Sequence, residues 1–133
     1  MHILAVVCDG VGYGEGGQVW GGELLRADLV GYERLGQLRP MMLAGGDAAA
    51  RDIRRCGLAL LQEALGDDFA QHDAARRLIG DDSERNMLAE MLKRGINCTP
   101  SSGAGRVFDG VAAVLGLCER NQFEAQAAIA MEA

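Results

Sequence analysis

The order of hydrophobic patterns predicts a fold of strands and helices, with the strands first in the chain. Residues 3–8 form a continuous apolar run, which is typical of a central strand buried on both faces. From residue 47 onward the apolar residues recur at helical spacing instead. No internal repeat or linker-like segment divides the 133 residues, so we expect a single unit of the α+β type.

Three strands are predicted within the first 40 residues. The apolar run ends at Asp9-Gly10, and residues 14–17 follow as a glycine-rich hairpin turn. Residues 18–25 return as a second strand, and a third lies around residues 32–38, before Pro40. Strands joined by short turns in this order predict an antiparallel three-stranded meander.

Helices are predicted for most of the segment between residues 47 and 95. Asp47 can cap the first helix, which continues to a glycine stop at Gly66. Residues 68–79 form a weaker helix. Ser83 is the predicted cap of the next helix, which ends at Gly95. The residues expected on the core face of that helix are Met87, Leu88, Met91 and Leu92.

The last third of the chain is predicted to hold a loop and two helices. Residues 97–105 are rich in Ser, Thr, Pro and Gly, which is typical of a loop. Residues 106–115 form a helix, and Asn121 is the predicted cap of a final helix that includes Phe123, Ala127 and Ala130. The residues expected to face inward from residues 106–115 are Val107, Phe108, Val111, Val114 and Leu115.

Composition excludes several classes of function. The net charge is −6 with a pI near 4.8, which argues against nucleic-acid binding. No apolar run reaches the roughly 20 residues of a membrane span. The four cysteines and two histidines show no zinc-ligand spacing and no nucleophilic Cys–His pairing, so we expect reduced thiols in a cytoplasmic protein.

Asp9 begins the first of three candidate sites, followed by Gly10 and Gly12 directly after the first strand. A strand that ends in an acid and glycines can present backbone N–H groups to a phosphate and a carboxylate to its metal ion. The alternative is an ordinary glycine-rich hairpin with an exposed aspartate. No helix follows at once, so neither a Rossmann motif nor a P-loop is predicted.

Asp109 and Glu124 belong to the other two candidate sites. Asp109 follows the glycine-rich entry to a predicted helix, where a carboxylate can hold ribose hydroxyls or simply favour the helix dipole. Glu124 lies three residues after Asn121, a spacing that also fits a capping box. Three arginines on the first turns of a predicted helix, Arg51, Arg54 and Arg55, form either a solvated helix face or a patch that faces substrate.

In their order along the chain, several segments resemble the C-terminal transferase domain of HypF proteins, which mature nickel–iron hydrogenases. The resemblance covers nearly the whole chain, and the ordered series is far more specific than any one segment. The matching segments are Asp9 to Gly14, Val19 to Glu23, Gly31 to Leu35, Leu38 to Pro40, Gly45 to Arg51, Ser101 to Asp109 and Phe123 to Ala128.

The resemblance implies an α/β fold of the RNase H-like, or actin-like ATPase, kind. The chain would be part of one lobe, with strands in residues 1–40, a helical insertion in 45–95 and helices of the nucleotide-binding lobe in 101–133. The implied reaction passes a carbamoyl group from ATP-derived carbamoyl adenylate to the C-terminal cysteine of a partner, HypE. Dehydration of the product then gives the cyanide ligand of the hydrogenase.

The resemblance also implies roles for single residues. Asp9 matches an acid near the metal and the nucleotide phosphates, and it is the expected catalytic and metal-binding residue. Gly10 and Gly12 match the glycines of the phosphate loop. Asp109 matches the acid placed toward the ribose, and Glu124 matches an acid that approaches the nucleotide. Beside Glu124, this chain has Phe123 and Ala125 where the family has Tyr and Gly.

Other metal ligands of the family would lie outside this stretch of sequence. Its histidine pair precedes the first strand, and its downstream glycine-rich loop and last metal-binding aspartate follow Ala133. We therefore expect an incomplete divalent-metal site, and no transferase activity from the isolated chain. Two alternatives stay open: transfer of a threonylcarbamoyl group to tRNA, as in the similar TsaD family, and a non-catalytic fragment that forms a homodimer to cover its sheet edges.

Overall fold

The computed structural model describes all residues from Met1 to Ala133 and has an α/β fold. Two short 3₁₀ segments, Glu15–Gly17 and Gly66–Gln71, complement five strands and six α-helices. The strands are β1 (Ile3–Tyr13), β2 (Val19–Ala27), β3 (Tyr32–Gln37), β4 (Met41–Ala44) and β5 (Cys98–Ser101). The helices are α1 (Asp47–Arg51), α2 (Arg54–Leu65), α3 (Asp73–Leu78), α4 (Asp82–Arg94), α5 (Ala104–Val114) and α6 (Gln126–Glu132).

The five strands form one mixed sheet in the order β1-β2-β5-β4, with β3 paired to β2. β2 is antiparallel to both β1 and β3. β5 runs parallel to β2 through Val19 and Ser101, and antiparallel to β4. The sequence predicted only the first three strands. It missed β4, and it assigned β5 to a loop because a four-residue strand containing Pro100 carries almost no periodic signal.

β1 lies at the edge of the sheet, so the prediction of a central strand buried on both faces was wrong. Its only partner is β2, and the exposed fractions of Ile3, Leu4 and Val6 are 53%, 67% and 75%. A continuous apolar run indicates that both faces avoid water, but it does not say which surfaces cover them. Within this chain nothing covers them.

The helical segment follows the predicted stops more closely than the predicted starts. Gly66 and Gly95 end α2 and α4 with positive φ angles of 74° and 64°, as expected of glycine caps. The first predicted helix is divided at Asp52 into α1 and α2. Residues 68–79 are part 3₁₀ and part α3. Asp81 caps α4 in place of Ser83, because its carboxylate accepts a hydrogen bond from Glu84 N.

The core face of α4 was partly mispredicted. Leu88 and Leu92 are buried, Met91 is half-buried, and Met87 is 54% exposed. The helix turns a narrower apolar stripe to the core than its sequence suggests. Buried Arg85 occupies part of that face, donating hydrogen bonds from its guanidinium to Ala70 O and Ile79 O.

The buried face of α5 matches the predicted one only in part. Its buried residues are Arg106, Asp109, Gly110, Ala112 and Ala113. Val107 and Val111 are half-buried, and Val107 packs against the core, whereas Phe108, Val114 and Leu115 are exposed. Gly110 explains the difference, because a Cβ atom there would lie 3.0 Å from Cys56 O and 2.5 Å from Leu60 Cδ1. Small residues let the backbones of α5 and α2 come close, so the larger apolar side chains point away.

The final helix begins later than predicted, and Asn121 does not cap it. α6 starts at Gln126 with Ala125 in the cap position. The Asn121 side chain is bound elsewhere, donating from Nδ2 to Asp109 Oδ1 and Ala50 O. The Asn121 side chain therefore makes long-range hydrogen bonds, and not the local capping box that the Asn121–Glu124 spacing predicted.

The core lies between the sheet and α2, with Ile53, Leu58, Phe69 and Leu88 fully buried. Its 20 apolar residues come almost wholly from β4 and the helices, and none comes from β1. No helix is both long enough and apolar enough to cross a membrane.

Candidate functional site

Three distant segments meet at a junction lined by glycines. A Cβ atom on Gly103 would lie 2.5 Å from Gly10 O, and one on Gly105 would lie 2.7 Å from Gly10 Cα. A Cβ atom on Gly22 would lie 2.3 Å from Ser102 O. Because no larger residue fits at these contacts, glycine allows β1 and β2 to touch the turn that enters α5. The junction brings the segment after Cys8 against the start of α5.

A cavity of about 640 Å³ opens beside this junction. It lies between residues 8–11 of β1, the start of α5, the end of α1 and the segment before α6. Four of the five predicted site residues line it: Asp9, Gly10, Asp109 and Glu124. Gly12 does not, and instead lines a smaller cavity of about 140 Å³ that also reaches Asp9. Residues separated by more than 100 positions in the sequence are thus brought to one surface.

Asp9 lies on a bulge in β1 rather than at the end of the strand. The pairing between β1 and β2 shifts register between Cys8 and Gly12, and β1 continues to Tyr13. The Asp9 carboxylate is exposed and accepts a hydrogen bond of 2.6 Å from Gly10 N through Oδ1. A bulge re-aims side chains relative to a regular strand, and here Asp9 and Gly10 both line the cavity.

Asp109 is buried in the cavity wall, where it contacts Arg106 and Asn121. Its Oδ1 accepts from Asn121 Nδ2 at 2.9 Å, and its Oδ2 lies 2.9 Å from Arg106 Nη2. Burial raises the pKa of the Asp109 carboxyl above its ordinary value, and the Asn121 hydrogen bond and the Arg106 charge only partly oppose this. Asp109 is therefore a buried carboxylate with side-chain partners, and not a surface acid that only interacts with the helix dipole.

Glu124 lines the same cavity and is exposed. The next residue, Ala125, has φ 60° and ψ 13°, a left-handed conformation that glycine adopts most readily. The sequence comparison with the HypF pattern placed a glycine at this position. The backbone at position 125 therefore adopts the left-handed turn that glycine favours, although the residue is alanine.

The three arginines considered from sequence divide into two groups. Arg51 lines the cavity and takes part in no ion pair. Arg54 and Arg55 pair instead with Asp52, and Arg54 donates two hydrogen bonds of 2.7 Å to that carboxylate. Burial alone would raise the pKa of Asp52, but the Arg54 hydrogen bonds and neighbouring positive charges lower it below its ordinary value.

Two buried residues near the site were not singled out from sequence. Arg106 lines the cavity with its side chain about 10% exposed. Glu23 is 2% exposed, and its Oε2 accepts from Gly21 N at 2.7 Å and Gly22 N at 2.8 Å. Its Oε1 accepts from the Ser102 hydroxyl, which joins β2 to the turn before α5. Both lie in segments of the HypF pattern, but their burial is set by long-range packing.

Asp9 offers a metal ion a single carboxylate. Nowhere in the chain do three or more His, Cys, Asp or Glu side chains form a group that could hold a metal ion. These residues therefore do not fit a divalent-metal site by themselves.

Comparison with known proteins identifies the family. The family described as "Carbamoyltransferase, Kae1-like Domain, second subdomain" of HypF matches residues 5–133. The chain belongs to the HypF carbamoyltransferase family. A HypF homolog from Cupriavidus necator is 43% identical over 133 residues, which cover 98% of this chain and 33% of that protein. HypF from Rhodobacter capsulatus is 41% identical over 131 residues, covering 98% of this chain and 17% of that protein.

Solved HypF structures share the fold. A full-length HypF described as phosphate- and nucleotide-bound superposes with a TM-score of 0.88 at 32% identity, covering 99% of this chain and 20% of that one. HypF from T. kodakarensis gives a TM-score of 0.80 at 30% identity, covering 98% and 18%. The chain thus spans between about a sixth and a third of the length of the HypF proteins it matches.

Proposed function

We propose that this chain supplies part of the nucleotide site of a cytoplasmic carbamoyltransferase. The proposed enzyme passes a carbamoyl group from ATP-derived carbamoyl adenylate to the C-terminal cysteine of HypE, on the route to the cyanide ligand of a nickel–iron hydrogenase. The observation that carries the proposal is the cavity in which Asp9, Gly10, Asp109 and Glu124 meet. The names of the HypF relatives, and the solved HypF described as nucleotide-bound, support it.

The start of α5 is the proposed location of the adenylate phosphate. Ala104 and Gly105 of its first turn line the cavity beside Gly10, and no side chain caps this helix. Free N–H groups and the positive end of the helix dipole favour an anion at such a place. Asp109 lies in the second turn of α5 on the same cavity wall, within reach of the ribose of a nucleotide held by its phosphate.

The proposed transfer requires little covalent chemistry from these residues. The HypE thiol sulfur forms a bond to the carbamoyl carbon while the bond from that carbon to the AMP oxygen breaks. AMP leaves with the electron pair, and the thiol proton passes to solvent. The N–H groups of Ala104 and Gly105, beside Gly10 on the cavity wall, would orient the phosphate and complement the negative charge that develops on the leaving group. Other ligands for a divalent metal would come from outside this chain, with Asp9 contributing one carboxylate.

The finer fold assignment is part of the same proposal. An antiparallel β1–β2–β3 series, followed by helices that return to β5 parallel to β2, supports an RNase H-like lobe of the actin-like ATPase kind. In that arrangement α1 to α4 form an insertion between β4 and β5. The insertion would complete the core while leaving the cavity open.

A chimaeric enzyme tests the proposed activity. This chain would replace the matching segment of the Cupriavidus necator relative, and mass spectrometry would follow the carbamoyl increment on HypE. We expect the chimaera to be active and Asp9→Ala to lower transfer by roughly 10²–10³-fold, the usual cost of losing one preorganised electrostatic contact. Glu90→Ala, in an exposed pair with Arg94, is the matched control and should keep full activity. Equal transfer by the Asp9 and Glu90 variants would refute the proposal.

A second candidate function is a non-catalytic subunit that pairs with another copy of itself. The free edge of β1 and the exposed Ile3, Leu4 and Val6 favour it, because an unpaired apolar strand can add a strand from a second chain. Sedimentation of the chain with and without Val6→Lys distinguishes the two. A dimer that Val6→Lys dissociates supports this candidate, and a monomer at all concentrations rejects it.

A further inference from the structure

Glu23 is a buried carboxylate that no cation neutralises. It is 2% exposed and takes part in none of the ion pairs of the chain. Its partners are three hydrogen-bond donors. Oε2 accepts from Gly21 N at 2.7 Å and Gly22 N at 2.8 Å, and Oε1 accepts from the Ser102 hydroxyl. Because a buried carboxylate is costly unless its oxygens are hydrogen-bonded, these donors stay together with it in the folded chain.

The donors that Glu23 binds belong to the glycine junction. A Cβ atom on Gly21 would lie 2.4 Å from Asp9 O in β1 and 3.0 Å from Gly103 Cα in the turn before α5. Gly21 is thus packed between β1 and that turn. Glu23 accepts from the N–H of Gly21 on one side and from the Ser102 hydroxyl of the turn on the other. One carboxylate therefore joins β2 to the turn at the point where both meet β1.

The turn decides where the free N–H groups of α5 point. Gly103 N donates to Ser101 Oγ at 3.1 Å, and Arg106 N donates to Gly103 O at 3.1 Å. The free donors of the first turn are therefore on Ala104 and Gly105, and both residues line the large cavity. N–H groups at a helix N-terminus bind an anion well only when they are aimed at it, so the position of the turn controls this contact.

We propose that Glu23 and Ser102 are positioning residues, whose hydrogen bond holds the turn so that the N–H groups of Ala104 and Gly105 face the adenylate phosphate. The inference rests on the proposed function, which locates that phosphate at the start of α5. Neither Glu23 nor Ser102 lines the large cavity, so neither touches the nucleotide. Both residues act through the backbone that lies between them and the ligand.

Calorimetric titration of the 133-residue chain with AMP and adenosine tests this role, because only AMP carries the phosphate. Ser102→Ala should weaken AMP binding by about three- to tenfold, the range that an anion contact at a helix N-terminus supplies. Adenosine affinity should stay unchanged. Ser83→Ala is the matched control, because Ser83 is an exposed serine of α4 that does not line the cavity, and it should keep both affinities.

Variants of Glu23 separate positioning from stability. Glu23→Ala should weaken AMP at least as much as Ser102→Ala does, and the double variant should bind AMP no worse than Glu23→Ala, because both changes remove the same hydrogen bond. Glu23→Gln should keep most of the AMP affinity, since its amide oxygen can accept from Gly21 and Gly22 while Nε2 donates to Ser102 Oγ. A residue that only stabilises the fold would lower Tm without separating AMP from adenosine. If Glu23→Ala does not fold, the Ser102→Ala and Glu23→Gln variants decide the question.

The remaining outcomes distinguish the positioning role from the proposed function. An unchanged AMP affinity in Ser102→Ala, or equal weakening of AMP and adenosine, overturns the positioning role. If neither compound binds the wild-type chain, the nucleotide function is rejected for this chain, and inorganic phosphate is titrated while NMR follows the backbone N–H signals of Ala104 and Gly105. A phosphate response that Ser102→Ala reduces would retain the positioning role alone. No response in the wild type, or the same response in both, would reject that role as well.

Discussion

Replacing Ala125 with glycine should stabilise the protein, against the usual cost of adding glycine. Ala125 is exposed and has φ 60° and ψ 13°, a conformation that costs an L-residue about 1–2 kcal/mol because Cβ crowds the following carbonyl oxygen. Glycine removes that cost, but the extra freedom of the unfolded chain returns about 0.4–1 kcal/mol. The net expectation is a gain of about 0.5–1 kcal/mol.

The gain is large enough to measure by calorimetry. With an unfolding entropy of about 2 cal/mol/K per residue, 1 kcal/mol corresponds to roughly 3–4 °C in a chain of this length. Ala125→Gly should therefore raise Tm by about 2–4 °C. Ala130→Gly, in the interior of α6, is the control and should lose about 1 kcal/mol, the ordinary helix penalty. A loss of stability at both positions would show that Ala125 is not left-handed.

Four other variants, at three positions, test the packing around the site. Gly110→Ala should destabilise by about 1–3 kcal/mol in chemical denaturation, because its Cβ would meet the backbone of Cys56 at 3.0 Å. Glu23→Ala should cost about 3 kcal/mol or more by removing the acceptor that Gly21 N, Gly22 N and the Ser102 hydroxyl share, whereas Glu23→Gln should cost about 1 kcal/mol. Asp52→Asn should cost about 2 kcal/mol near neutral pH, because it weakens the Arg54 contact. The folded-state pKa of Asp52 is lowered, so this difference should shrink once the pH falls below the ordinary aspartate value of 3.8 and disappear as the pH passes through the lower folded-state pKa.

Local signals in the sequence predicted features that short-range geometry controls. Gly66 and Gly95 end helices because glycine tolerates the positive φ angle of a helix stop, whatever the rest of the fold does. The hairpin turn near Gly16 has the same origin. The ordered series of motifs also predicted the HypF family, which the match over residues 5–133 confirms.

Features that depend on a distant surface were mispredicted. Residues 3–8 have the composition of a buried strand, yet β1 is an edge strand because no other part of this chain pairs with its outer side. The prediction for α5 turned its large apolar residues inward, whereas in the fold the close approach of Gly110 to α2 decides which face is buried. Asn121 was assigned to a local cap, but in the fold its side chain donates to Asp109 Oδ1 and Ala50 O instead.

The sequence alone determined the residue types at the candidate site and the family to which they belong. Asp9, Gly10, Asp109 and Glu124 were all recognisable from motif and spacing. The tertiary structure decided that these four share one cavity, that Gly12 lies outside it, and that Arg106 and Asn121 contact Asp109. The physical reason is that a cavity is made by glycine contacts between segments over 90 residues apart, such as Gly103 against Gly10. The local periodicity of apolar residues cannot predict those long-range contacts.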